Sequence, residues 1–519
     1  MFSCIWQWIH MGFCVNKMVN FNIKILLIIS VFNINAYSQK LFIPLNDPEI
    51  ISIYKKGEKG KDGSYISRDS LGNIRIKGKF NKLKPVGKWY IFFDNGKLMS
   101  NYSYSDDGYL DGTFVEYYSH GKIKVLGKFD KNIQTGIWKT FYFNGEIETE
   151  GEMLNGKRYK QWNYFFRSGN IKEISNYNVD GLLHGDLISY DDFGTIVSKA
   201  NYIKNKIDGE YLEFYYNGRV ALRGFYKLGF RDSVWTEFGQ NKYGQNRNIS
   251  FLKRYKEDLP HSKWTYYYPN TNIIKNEESY SNGIKDGLFN EYYYNRKLAK
   301  SYSYKNNLQE GEYNEFLPDG TISVKGNFKN GLKDGLWETY REDGTIFSIG
   351  NFKNDFQDGS WKFFHRTGNI SSEGIYKNGF EIDQWIFYYD DGQLDEIGSY
   401  SFGLKNGLWG RFYRDGTLKL EETYNLGRLI NVTDYYLSEG SSVSSGSLKD
   451  GNGELLDYYD NGSLFSISNY KDGYLYGVYK EFHLNGKESI VGNYNKNTRV
   501  GYWYTFSKRG LEINKEKYD

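Results

Sequence analysis

The side chains able to do chemistry are few and scattered. The six histidines are His10, His120, His184, His261, His365 and His483, and none pair at the spacing of metal ligands. Both cysteines, Cys4 and Cys14, sit near the start. A chain cut after residue 38 would hold no thiolate for metal binding or nucleophilic attack. The segment from Gly440 to Gly446 reads GSSVSSG, but no helix pattern follows it, so it is not a nucleophile elbow. Asp106-Asp107, Asp390-Asp391, and Asp450 with Asn452 lack the spaced oxygen set of a calcium loop and read as solvated turn residues. The expectation is a non-enzyme with no catalytic, cofactor-binding or metal-binding residue and no cofactor.

Rings are the one abundant chemical resource. Aromatics make up 19% of the 519 residues, with 50 tyrosines and 12 tryptophans. Exposed rings stack on sugars; buried ones build cores. Which role they take depends on the elements that carry them. Those elements are set by a repeat of about 24 residues running from Gly63 to the C-terminus in 19 units. A period of this length marks an array whose units bury their apolar faces by stacking on neighbours.

The unit that starts at Gly335 serves as the template, its residues numbered 1 to 24. Glycine at 1 is followed by aromatics at 3 and 6, glycine at 10, an aliphatic at 12, glycine at 16 and an aromatic at 18. Two short runs of β-formers bounded by turn residues predict strand, turn, strand, loop. Position 10 is glycine in 16 of the 19 units, among them Gly96, Gly121, Gly145, Gly218, Gly344 and Gly392, often after Asn or Asp. Asn-Gly and Asp-Gly predict a two-residue type I′ turn at positions 9 and 10. That turn places position 3 opposite position 16.

Trp89, Trp138, Trp162, Trp235, Trp264, Trp337, Trp361, Trp385, Trp409 and Trp503 all occupy position 3. The register predicts that Trp337 lies over Gly350, Trp361 over Gly374 and Trp385 over Gly398, aromatic cover of a strand glycine. These rings then read as structural rungs. Position 6 is aromatic in 18 of 19 units yet has the opposite parity to position 3. Either a bulge shifts the register or both faces carry an aromatic row.

The expected fold is all-β: an elongated array of about 19 antiparallel β-hairpin repeats, either a twisted single sheet or an open solenoid. Residues 63–519 form the array. Residues 39–62 lack the repeat and read as an N-terminal cap. Three irregular units mark hinges or loop-borne sites. The unit at Ser233 carries extra residues around Asn241 to Asn248, the unit at Ser262 has Thr271 for its turn glycine, and the short unit at Asn431 is Ser/Gly-rich.

Residues 1–38 read as a signal peptide with a misassigned extension, Met1 to Lys17, ahead of a start at Met18. Lys24, the apolar run Ile25 to Phe32 and Ala36-Tyr37-Ser38 give the layout a signal peptidase cuts after Ser38. The apolar run is too short for a comfortable membrane span. Export to the periplasm, surface or medium is expected, with no transmembrane span in the mature chain. The cut would leave 65 basic against 63 acidic residues, a balance with no basic footprint for nucleic acid.

The unit G-x-W-x-x-[FY]-[FY]-x-x-G-x-[IL], as in Gly87-Lys88-Trp89 through Asn95-Gly96-Lys97-Leu98, resembles the MORN-repeat variant of bacterial proteins, many of them labelled antitoxin-like. The resemblance covers Gly63 to Asp519. It implies β-hairpin arrays and scaffolding, and leaves the partner open. The expected function is an exported, non-enzymatic repeat scaffold that binds a protein or cell-envelope component. The alternative is a carbohydrate or cell-wall-binding repeat protein, with a glycan as partner.

Overall fold

The computed structural model describes residues 62–239, 248–437 and 441–519. The leader at 1–38, nearly all of the cap at 39–62 and most of the insertion near Asn241 lie outside the described residues. Every regular element described is a β-strand. The chain divides into two units. One holds the described residues up to Asn170 with Val179–Gly181, the other Ile171–Asn178 with Leu182–Asp519.

In the first unit nine strands, from Gly63–Arg68 to Lys157–Phe165, pair antiparallel in chain order. The second unit repeats the meander from Ile171–Tyr177 to Arg428–Val432. A two-stranded ribbon, Tyr435–Tyr436 with Ser442–Val443, follows at the irregular unit. A six-stranded sheet from Gly453–Tyr458 to Glu512–Tyr518 then resumes the order. The fold is an all-β array of antiparallel hairpin repeats.

The turns differ from expectation. Position 9 does not adopt positive φ in the template unit. Instead Gly344 N–H donates to Arg341 C=O at 2.9 Å, and Arg341 N–H donates to Thr345 C=O at 2.8 Å. This is a three-residue loop, a type I turn closed by a glycine at φ 81°. Gly96, Gly121, Gly145, Gly218 and Gly392 share the left-handed conformation. Asp343 is selected for a different reason than its φ: its carboxylate accepts the Thr345 N–H at 3.0 Å. Asn95, Asn144 and Asn485 cap their turns the same way.

The type I′ turns lie at positions 20 and 21, between repeats. Asn354 and Asp355 have φ of 50° and 69°, and Lys353 pairs with Phe356 across them. Each long strand therefore crosses the repeat boundary, as Phe356–Phe364 does. The residue at position 1 is a left-handed kink inside that strand. Gly359 has φ 89°, and Lys160, Ser233, Ser262 and Asp383 adopt 54–59° where other units use glycine.

Position 3 still pairs with position 16, as Trp337 does with Gly350. The longer turn shifts the register by one, and a bulge between Thr339 and Tyr340 shifts it back. The leading strand stays regular through position 6, so both faces carry an aromatic row. Tyr340 Oη donates to Glu338, two residues earlier on the face opposite Trp337.

Candidate functional surface

The tryptophan face is built by interlocking neighbouring repeats. Each of the ten position-3 indoles is buried, from Trp409 at 0% exposure to Trp264 at 9%. The ring does not cover the glycine of its own unit, as the register suggested. Trp337 lies on Gly326, Trp361 on Gly350, Trp385 on Gly374 and Trp409 on Gly398, each the position-16 glycine of the preceding unit. A methyl group on any of these glycines would fall inside the ring. In most repeats the neighbouring bulge frees the position-17 carbonyl, which takes the indole N–H: Trp361 Nε1 donates to Asn351 C=O at 3.0 Å, whereas Trp138 Nε1 donates to Thr135 C=O at 3.2 Å. Trp264 is the exception, since Lys253 stands where the glycine would be, its Nζ 4.9 Å from the ring centroid.

Position-18 rings meet these indoles edge-on. Phe352 and Trp361 have centroids 5.2 Å apart at 84°, and Tyr400 and Trp409 5.0 Å apart at 84°. The tryptophans are thus enclosed by protein and present no flat surface to a sugar.

A second ladder, not foreseen from the sequence, runs through position 7. Tyr118, Tyr142, Tyr293 and Tyr459 each donate the phenol proton to the position-6 carbonyl of the next repeat at 2.7 Å. His365 and His483 occupy the same slot, with Nε2 at 2.8 and 2.9 Å from the corresponding carbonyls. Arg341 fills it by donating to Phe364 C=O. The sequence signal was a residue at position 7 able to donate from the far end of its side chain.

What remains available lies on the opposite face and along the type I′ edge. On that face the position-6 tyrosines sit among paired charges. Tyr388 Oη donates to Glu373 Oε1 at 2.9 Å, while Lys362 Nζ lies 3.0 Å from Glu373 Oε2. The Lys362 hydrogen bond holds the Glu373 carboxyl below its usual range, and burial raises the Tyr388 phenol. Along the edge, position 22 exposes a large apolar side chain in successive repeats: Leu332, Phe356, Phe380 and Leu404, at 38, 56, 53 and 46% exposure. Among the described residues, no three His, Cys, Asp or Glu side chains gather as a metal site. Asp390 and Asp391 are engaged by Arg414 at 2.7 and 3.2 Å. Ser444 accepts the Tyr458 phenol through its carbonyl at 2.8 Å. No described helix is long and apolar enough to cross a membrane.

The MORN repeat variant matches residues 85–106, 110–131, 134–155, 309–330, 333–354, 357–378, 384–401 and 452–472. These eight stretches carry the MORN repeat variant. No curated protein matches the sequence. Solved structures that match include a TcdB2-TccC3-Cdc42 complex, 10% identical over 85% of this chain and 27% of that one, with a TM-score of 0.13. The Tc holotoxin pore of Photorhabdus luminescens is 10% identical over 85% and 26%, with a TM-score of 0.14. TcdB2-TccC3 without its hypervariable C-terminal region is 12% identical over 93% and 32%, with a TM-score of 0.12. The chain spans about a third or less of each of these longer chains.

Proposed function

We propose that this protein is a non-enzymatic scaffold, exported from the cytoplasm, that binds a protein or cell-envelope component along its repeats. The observation that carries this reading is the edge row Leu332, Phe356, Phe380 and Leu404, which recurs with the 24-residue period and stays exposed while every position-3 tryptophan is buried. Exposed apolar groups in register suit a partner that is itself extended. Burial of the tryptophans weighs against sugar stacking as their role. The Lys24 to Ser38 layout supports export.

The test is capture from an envelope fraction by full-length chain, compared with a chain carrying Ser at positions 332, 356, 380 and 404. Loss of a specific partner with the fold retained supports the reading. Equal capture by both chains, or retention on a glycan array with no protein partner, overturns it in favour of the carbohydrate alternative. N-terminal sequencing of the native protein tests export: an intact Met18 start in the cytoplasm would refute it.

A further inference from the structure

The ring face divides its tyrosines into two chemical classes. Position-7 phenols donate to main-chain carbonyls, as Tyr293 does to Phe316 C=O at 2.7 Å. Several tyrosines packed among the indoles donate instead to carboxylates. Tyr376 donates to Glu381 Oε1 at 3.0 Å. Tyr211 with Glu213 at 2.7 Å and Tyr313 with Glu315 at 2.9 Å repeat the pairing. A half-buried phenol needs an acceptor of some kind, and a carbonyl satisfies it. A carboxylate can do more, because it is a base that can take the proton.

Tyr376 is also placed between two indoles. Its ring centroid lies 5.9 Å from Trp361 and 5.1 Å from Trp385, and all three rings are buried. The run continues from Trp385 to Tyr400 at 6.1 Å and from Tyr400 to Trp409 at 5.0 Å. Lys405 Nζ, 4.0 Å from the Trp409 centroid, makes that indole a costly place for positive charge. Burial holds the Tyr376 phenol above its ordinary range, so the proton is present to be moved.

We propose that the ring face relays one-electron oxidation, with Trp361, Tyr376 and Trp385 as carriers and Glu381 as the proton acceptor. A one-electron outer-sphere oxidant removes an electron from an indole and is itself reduced by one electron. The indole radical cation then takes an electron from Tyr376 and returns to neutral tryptophan. The phenol proton passes to the Glu381 carboxylate in the same step, leaving a neutral tyrosyl radical beside a carboxylic acid. A one-electron reductant such as ascorbate closes the cycle, and the proton returns from Glu381 to the phenolate oxygen.

The test uses the full chain with photo-oxidised ruthenium tris-bipyridine as the oxidant. Transient absorption should show the indolyl radical converting to tyrosyl radical in a first-order step. Its rate should be independent of protein concentration and slower in D2O. Nitroso spin-trap adducts mapped by peptide mass spectrometry should fall on Tyr376 in preference to Tyr293. Glu381→Gln keeps a hydrogen-bond acceptor but removes the base, and should abolish the Tyr376 adduct. A concentration-dependent conversion, an absent isotope effect, adducts confined to tryptophan, or an unchanged Tyr376 adduct in folded Glu381→Gln would each overturn the proposal. The isotope effect is read on the unaltered chain, so the test survives a variant that fails to fold.

Discussion

The indole of Trp361 lies on Gly350, a residue of the preceding repeat, although in the hairpin register of its own repeat it pairs with Gly374. Each repeat therefore roofs the one before it. Cohesion between units comes from the same side chain that fills each unit's core, which is how a repeat array couples neighbours.

This arrangement makes a double-mutant cycle decisive. Trp361→Ala should cost ~3–5 kcal/mol, as large-to-small core changes do. Gly350→Ala should cost about 1–3 kcal/mol, because its methyl group would enter the ring and the indole must shift. Together they should cost clearly less than the sum, since removing the ring makes room for the methyl group. Trp361→Ala combined with Gly374→Ala should be closer to additive, because Gly374 is covered by Trp385. Equilibrium unfolding measures both cycles; equal coupling in the two would contradict the placement.

Left-handed glycines at positions 10 and 1 of the repeat should respond differently to side chains. Gly344, at φ 81°, would place a Cβ at ordinary contact, 3.5 Å from Thr321 Cγ2. Gly344→Ala should cost about 1–2 kcal/mol from backbone strain alone. Gly359 at φ 89° has open space beside it, and Asp383 holds the equivalent position at φ 54° in the next repeat. Gly359→Asp should therefore lower the unfolding temperature less than Gly344→Ala does.

The fold class and the ring-bearing positions could be read in the sequence because period and residue type alone specify them. The turn chemistry could not, since Asn-Gly has two physical meanings. It serves positive φ in a type I′ turn, and it serves a side-chain cap followed by a left-handed glycine, as at Asn95-Gly96. The type I′ turns use the same dipeptide, as at Asn330-Gly331 and Asn378-Gly379, so Asn-Gly alone does not say which turn it makes, and Lys82-Leu83 makes one without it. The direction of the ring overlap was legible in principle. Trp162 and Trp409 have Ser175 and Glu422 at position 16 of their own repeats, but Gly151 and Gly398 in the repeats before. The position-7 ladder was hidden because Tyr, His and Arg share only a distal donor.

That ladder predicts which replacements are silent. Tyr389 Oη donates to Phe412 C=O at 2.8 Å. Tyr389→Phe should cost about 0.5–1.5 kcal/mol, the net worth of one such bond. His365→Tyr should be close to neutral, because tyrosine makes this bond elsewhere, while His365→Phe should lose it. Hydrogen exchange of the strands on either side of the staple, Phe356–Phe364 and Phe380–Tyr388, would report the difference.

Two carboxylates should impose opposite pH dependences. Hydrogen bonds from Thr345, side chain first and then backbone, hold the Asp343 carboxyl below its ordinary value. Its contribution is present above the unfolded aspartate pKa of about 3.9 and is lost as pH falls through the lower folded value. Asp343→Asn keeps the acceptor, so stability should become flatter in acid. Glu422 is the reverse case. It is 7% exposed, where most tryptophan-bearing neighbours have glycine, and burial raises its carboxyl against the opposing pull of Arg411 and Lys405. A raised acid contributes fully below the unfolded glutamate pKa, about 4.3, and that contribution is lost as pH rises through the folded value. Glu422→Gln retains an acceptor for the Tyr424 phenol, which donates to Glu422 at 3.2 Å. The variant should be more stable than the parent chain near neutral pH, with the gap closing in acid. Denaturant midpoints across that range measure it, and a glutamine variant that is less stable at neutral pH would mean that the Arg411 attraction outweighs the burial of the charge.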